Sequence, residues 1–268
     1  MVPGMTTSLL AKLPFKPAVT WPGGKSKLLI HILPKIPKHF CYVEPFAGGL
    51  AVLLAKKRSG VEVVNDLNGD LVSFYRCVRF HLDPLMNELE FVLNSRREFS
   101  EFNQQPGLTD IQRAARWWYR NRNCFRGASL SSFGTSAASG GAASGSRSTR
   151  LEQIRQLNLR LDKVTVENLD WERCLDIYDR KETFFFCDPP YTGCDAGAYA
   201  AWRVSDVQRF RDRLDQLKGT WMVTLNDAPE IRSIFSDCQI TGIERAKGIN
   251  HASGKTYKEL IILPRAEG

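Results

Sequence analysis

The stretch Thr183-Phe184-Phe185-Phe186-Cys187-Asp188-Pro189-Pro190-Tyr191 decides the fold. Its first five residues are apolar without alternation, as expected for a central strand covered on both faces. Working outward, β-branched and aromatic runs recur at 41–46, 61–65, 163–167, 220–225, 238–243 and 256–263. Helical patterns fall between them at 24–33, 49–58, 69–80, 83–94, 108–121, 150–161, 205–217 and 228–234. This alternation predicts an α/β fold with a doubly wound, seven-stranded sheet. The stretch 71–160 interrupts it without a convincing strand and reads as an inserted, mainly helical subdomain. The expected domains are therefore 1–70 with 160–268, and an insertion over 71–159. Residues 127–149 are dominated by Gly, Ser and Ala and read as a flexible loop.

Composition narrows the function classes. Apolar residues make up 43% and charged residues 25% of the 268, ordinary for a globular protein. No run approaches the roughly 18 apolar residues of a membrane span. The proline-broken start does not read as a secretory signal. Seven cysteines are scattered with no Cys-x-x-Cys pair, which predicts reduced thiols in a cytosol and no thiolate metal site. Lys and Arg number 37 against 29 Asp and Glu, a net charge of +8 that favours an anionic partner. Residues 1–43 carry six lysines and no acid, and Ile111–Leu151 carries seven arginines and no acid. On a helix, Arg113, Arg116 and Arg120 share one face while Ile111, Ala115 and Trp118 share another. The basic face is either solvated or a row for phosphates, and the missing carboxylates favour the row.

Four constellations bear chemistry. Asp188-Pro189-Pro190-Tyr191 sits at the carboxyl end of the central strand, where ligands of open α/β sheets bind. Two prolines fix φ and remove two backbone donors. What remains is a rigid pair of acceptors, the Asp188 carboxylate and the Pro189 carbonyl, beside the Tyr191 ring. That set matches a planar exocyclic amine with two N–H donors; the bland alternative is a tight turn with an aromatic lid. Glu44-Pro45-Phe46-Ala47-Gly48-Gly49 ends the first strand and opens a helix, either as a close-approach turn for a nucleotide-type cofactor or as a plain β–α turn. About 20 residues later, Asp66 stands where an acid accepts from ribose hydroxyls, or caps the next helix. Trp21-Pro22-Gly23-Gly24-Lys25-Ser26 is no P-loop, because that pattern needs glycine at position 19, which is Val19. A helix start with a lysine still holds a carboxylate.

The order of these motifs, with Asn121-Arg122-Asn123-Cys124-Phe125-Arg126-Gly127 inside the insertion, resembles the Dam-like DNA adenine-N6 methyltransferases over residues 20–263. The later Val223-Thr224-Leu225-Asn226-Asp227 and Tyr257-Lys258-Glu259-Leu260 also look like family elements. The resemblance implies a methyltransferase-type sheet, S-adenosylmethionine as cofactor, double-stranded DNA as partner, and neither metal nor membrane. A monomer in the cytoplasm of a prokaryotic or phage-infected cell is expected.

By the same resemblance, Trp21, Lys25, Glu44, Phe46, Gly48, Asp66 and Asp188 line the cofactor cleft, with Asp66 on the ribose. Asp188 and Pro189 grip the adenine amino group and Tyr191 stacks on the base. Arg113, Arg116, Arg120, Arg122, Asn123 and Arg126 contact DNA, and the insertion reads the target. Competing readings are methylation of cytosine N4 or of a glutamine side chain, and a DNA-binding protein without turnover. Asp188 argues against both other amines, whose enzymes carry Ser or Thr, and Asn, at that place. The family's glycine turn reads Phe-x-Gly-x-Gly, whereas Leu50 holds the last position here. Either the loop takes another shape or one glycine does the work of two.

Overall fold

The structure, a computed structural model, describes residues 15–124, 133–136, 141–142, 146–193, 201–246 and 256–265. Helix α1 (Leu29–Ile32), framed by 3-10 turns Lys25–Lys27 and Leu33–Lys35, precedes β1 (Cys41–Glu44). Helix α2 (Ala51–Ala55) leads to β2 (Val61–Asn65). Helices α3 (Gly69–Phe80), α4 (Leu82–Glu90), α5 (Arg96–Gln104), α6 (Asp110–Asn123) and α7 (Arg147–Arg160) follow, with β3 (Thr135–Ser136) and β4 (Gly141–Ala142) between the last two. Then come β5 (Val164–Glu167), α8 (Trp171–Tyr178), β6 (Thr183–Cys187), α9 (Val204–Leu214), β7 (Thr220–Asn226), α10 (Pro229–Ile234), β8 (Gln239–Ala246) and β9 (Thr256–Leu263).

Seven strands form one sheet in the order β5-β2-β1-β6-β7-β9-β8. β1 pairs parallel with β2 and β6, and β6 parallel with β7. β9 runs antiparallel between β7 and β8, so the sheet is mixed. All seven expected strands are present. β6 is buried at every position, which is why its sequence lacks alternation. Strand order reverses direction between β1 and β6. The carboxyl ends of this pair, where Glu44 and Asp188 sit, therefore flank the topological switch point.

Several helices differ from expectation. The pattern at 24–33 is realised as a 3-10 turn, a four-residue helix and a second 3-10 turn. The pattern at 49–58 shortens to Ala51–Ala55. Helices α5 and α8 fall where none is expected, and their caps explain them. The Ser95 hydroxyl accepts from Glu98 N at 3.0 Å, and the Asp170 carboxylate from Glu172 N at 2.9 Å. Within the Gly/Ser/Ala stretch, 127–132, 137–140 and 143–145 lie outside the described residues. The remainder holds the β3–β4 ladder and the start of α7, whose cap Ser146 accepts from Thr149 N at 3.3 Å.

The chain divides into two compact units: Met1–Lys35, Ala47–Arg58 and Asp66–Asn168; and Ile36–Phe46, Ser59–Asn65 and Leu169–Gly268. The second unit is organised around Val43, Phe185, Cys187, Phe210, Val223 and Leu260. In the first, Phe74 of α3 stacks on Trp118 of α6 with centroids 6.5 Å apart. Arg160, at the end of α7, is 1% exposed and sends Nε and Nη2 to the Leu53 carbonyl at 3.2 and 2.9 Å. A cation thus meets the carbonyl end of α2. Arg160→Ala removes that charged donor and empties a buried volume. It is expected to lower stability by about 2–4 kcal/mol, read as an earlier urea midpoint by circular dichroism.

Candidate active site

In the first unit, the two cofactor-type motifs pack on one another. Trp21 lies across the turn that follows β1: a Cβ on Gly48 would stand 2.6 Å from its Cδ1. Gly48 also has φ +46°, so position 48 excludes a side chain for two separate reasons. Its N–H donates to Asp66 Oδ2 at 2.8 Å, and its carbonyl accepts from the buried Tyr75 hydroxyl at 2.5 Å. Asp66 is 3% exposed, and its Oδ1 accepts from Asn68 N at 2.9 Å. The cap of the next helix is Asn68 and not Asp66: the Asn68 side chain accepts from Leu71 N at 3.0 Å. Asp66 therefore braces the glycine turn through the Gly48 amide. Lys25 is 3% exposed and donates to the Gly23 carbonyl at 2.6 Å.

The Trp21 segment is in turn stitched to α6. Trp118 Nε1 donates to the Ala18 carbonyl at 2.7 Å. The Asn121 amide brackets Thr20, accepting from its N–H and donating to its carbonyl, both at 2.8 Å. Trp21 and Trp117 rings lie 6.4 Å apart.

Helix α6 presents its arginines unequally. Arg113 is paired with Asp110 and Arg116 donates to the Gln105 carbonyl at 2.6 Å, so the row expected with Arg120 is partly engaged locally. Burial lowers the Arg120 pKa. Burial, then the neighbouring Arg150, brings Arg122 down to about 10. Asn123 is 2% exposed, donates to the Tyr119 carbonyl and accepts from Arg150 at 3.2 Å, so its side chain serves the interior. Arg126 lies outside the described residues.

In the second unit, Glu44 is 2% exposed and accepts from the Tyr42 hydroxyl at 2.6 Å, two residues back on the same face of β1. Phe46 meets Trp202 and Phe210 edge-on, with centroids 5.6 and 5.8 Å apart, and lies 6.4 Å from Trp171. Asn65 holds the preceding Pro45 carbonyl at 2.9 Å. At the end of β6, Asp188 and Tyr191 are partly exposed and Pro189 is buried. Asp188 Oδ1 accepts from the Thr224 hydroxyl of β7 at 2.8 Å. Tyr75, Asn65, Asn121 and Thr224 were not singled out as site residues from the sequence. The available signal was a polar side chain inside an apolar element, clearest for Thr224 in Trp-Met-Val-Thr-Leu.

Among the described residues no helix is long and apolar enough to cross a membrane, and no group of three His, Cys, Asp or Glu gathers to hold a metal ion.

A sheet of this order, with an acceptor-bearing turn at its switch point, defines a methyltransferase-type α/β protein. The family described as D12 class N6 adenine-specific DNA methyltransferase matches residues 21–249, and the chain belongs to that family. It is 29% identical to the Type II methyltransferase M.MjaIII of Methanocaldococcus jannaschii over 66% of this chain and 69% of that protein. It is 26% identical to the Type II methyltransferase M1.LlaDCHI of Lactococcus lactis subsp. cremoris over 94% and 96%. It is 25% identical to the DNA adenine methylase of Haemophilus influenzae over 96% of each chain. The protein is thus an adenine-specific DNA methyltransferase, an enzyme that uses a methyl donor and acts on DNA.

Gly48→Ala places a methyl group against the Trp21 indole in a left-handed backbone. A stability loss of about 2–4 kcal/mol is expected, with a change in tryptophan emission, both followed by thermal and fluorescence melts.

Proposed function

We propose that the chain methylates adenine N6 in double-stranded DNA with S-adenosylmethionine as donor. The observation that carries this reading is the acceptor corner at the tip of β6. There a rigid Asp-Pro-Pro turn presents the Asp188 carboxylate, held at 2.8 Å by Thr224, beside the Tyr191 ring. When bound, S-adenosylmethionine supplies a methyl group already activated on its sulfonium.

The chemistry of the donor set fits this cofactor. In the first unit, buried Lys25 would hold the methionine carboxylate, Trp21 would contact the methionine part, and the Asp66 carboxylate would accept from the ribose hydroxyls. Gly48, lacking a side chain, lets the Trp21 indole lie against the turn. In the second unit, Glu44 and Phe46 line the cleft, together with Asp188.

Asp188 and the Pro189 carbonyl accept the two N6 hydrogens. This draws the nitrogen toward tetrahedral geometry and localises its lone pair for in-line attack. Tyr191 stacks on the base. An adenine inside a duplex cannot reach this corner and is extruded, at about a few kcal/mol. Stacking on Tyr191 offsets about 1–3 kcal/mol of that. Arg113, Arg116, Arg120, Arg122 and Arg126, with the N-terminal lysines, hold phosphates; Asn123 acts through Arg150. The insertion over 71–159 reads the target. Bacterial, archaeal and phage relatives support work in the cytoplasm of a prokaryotic or phage-infected cell.

Asp188→Ala is expected to lower transfer by about 100-fold or more while DNA affinity stays within about twofold, by nucleoside mass analysis and fluorescence anisotropy. Undiminished N6-methyladenine would remove Asp188 from the mechanism, and N4-methylcytosine in wild-type digests would reassign the base. DNA binding should weaken steeply between about 50 and 200 mM salt, the logarithmic slope easing by about one unit in Arg122→Ala. Salt-independent binding would sink the phosphate assignment.

A further inference from the structure

Asp188 is one carboxylate on a turn, and a carboxylate on a turn rotates freely about its side-chain bonds unless something holds it. One group that holds it is on the neighbouring strand. β6 and β7 pair in parallel with Cys187 opposite Val223, so the next step of each chain puts Asp188 level with Thr224. Thr224 is 0% exposed, in a strand whose interior is otherwise Trp221, Met222, Val223 and Leu225. A buried hydroxyl there is costly unless bonded, and its bond goes to Asp188 Oδ1 at 2.8 Å. Two residues on, along the same face of β7, the Asn226 amide and the Thr192 hydroxyl meet at 3.3 Å. Thr192 also makes a bridge to Trp202. The Thr-x-Asn face of β7 thus engages the turn on both sides of Tyr191.

We propose that Thr224 is a positioning residue for methyl transfer: its hydroxyl fixes Asp188 through Oδ1 in the orientation that accepts the target amine. The proposal rests on the role given to Asp188 above. Thr224 touches neither amine nor donor, so its effect falls on the rate of transfer and not on binding. The side chain can donate only one hydrogen, and that hydrogen is committed to the carboxylate. A valine of the same shape keeps the packing and loses the donor. A serine keeps the donor and loses one methyl group.

The test compares the full-length protein with Thr224→Val and Thr224→Ser in single-turnover methylation of duplex DNA, alongside Asp188→Asn. Thr224→Val is expected to lower the transfer rate about 10- to 100-fold, with KM for donor and for DNA within about twofold of wild type. Thr224→Ser is expected to stay within about threefold of wild type. A wild-type rate in Thr224→Val overturns the proposal, as does a defect confined to KM. A serine variant as slow as the valine one also overturns it, since the effect would then come from packing. Should Thr224→Val fail to fold, Thr224→Ala, which also lacks the donor, takes its place and is read against Thr224→Ser under the same criteria. Full activity in Asp188→Asn would instead overturn the role of Asp188 itself. A dead Asp188→Asn beside a fully active Thr224→Val leaves that role standing and removes Thr224 alone.

Discussion

Parallel pairing of Cys41, Tyr42 and Val43 with Thr183, Phe184 and Phe185 is the constraint on which the second unit is built. Parallel strands need long crossovers, and the chain supplies one of more than a hundred residues between β1 and β6. In return, both strands end at the same edge. That edge carries Glu44-Pro45-Phe46 from one strand and Asp188-Pro189 from the other, so two carboxylates about 140 positions apart in sequence stand at the ends of neighbouring strands. The apolar run in β6 sets the position of Asp188 because each of its five residues is enclosed and none can slip outward without exposing a phenyl ring or its neighbours.

Burial then dictates how the polar groups at these ends are arranged. Glu44, Lys25, Asp66, Asn65 and Thr224 are all at most 3% exposed. Groups so placed must be hydrogen-bonded, and each bond removes a degree of freedom from a neighbour. Asp66 fixes the amide of Gly48, Asn65 the carbonyl of Pro45, Tyr42 the carboxylate of Glu44 and Thr224 that of Asp188. The preorganisation that group transfer needs is in this sense a consequence of desolvation. The Asn121 clamp on Thr20 extends the same logic along α6, tying the arginine-bearing helix to the irregular segment before Trp21.

What was legible in the sequence follows from what is local. The seven strands were: β6 as an unbroken enclosed run, and the part-exposed ones such as β5 through their β-branched residues. The motif turns were, because proline, glycine and an acid at a strand end constrain their own backbones. Helix α5 escapes the periodic pattern although Ser95-Arg96-Arg97-Glu98 spells a cap, because its apolar face is only Phe99 and Phe102, too few positions for a helical period to stand out. The arginine row was legible as a spacing but not as a surface. What each guanidinium meets depends on its neighbours: Arg113 stays exposed beside Asp110, while Arg116 is half-buried against the Gln105 carbonyl and the Phe102 ring. Thr224, Tyr75 and Asn121 depend on partners 27 to 101 residues distant, and no periodicity in their own segments names those partners.

Leu50 resolves differently from either expectation about the glycine turn. It adopts φ 61° and ψ 26°, a left-handed conformation, and Gly48 two residues earlier also has positive φ. The turn therefore keeps positive φ at both places where the family pattern carries glycine, with leucine in the second. A non-glycine residue held there costs about 1–2 kcal/mol. Leu50 is 0% exposed, and enclosing a leucine side chain contributes about 1.5–3 kcal/mol. The two magnitudes are comparable, so burial offsets the backbone strain and a leucine is accommodated in a left-handed backbone. Position 48 has no such exchange available, because the space a side chain would occupy already belongs to Trp21. One glycine of the pair is replaceable and the other is not, and the difference lies in what stands opposite each Cα.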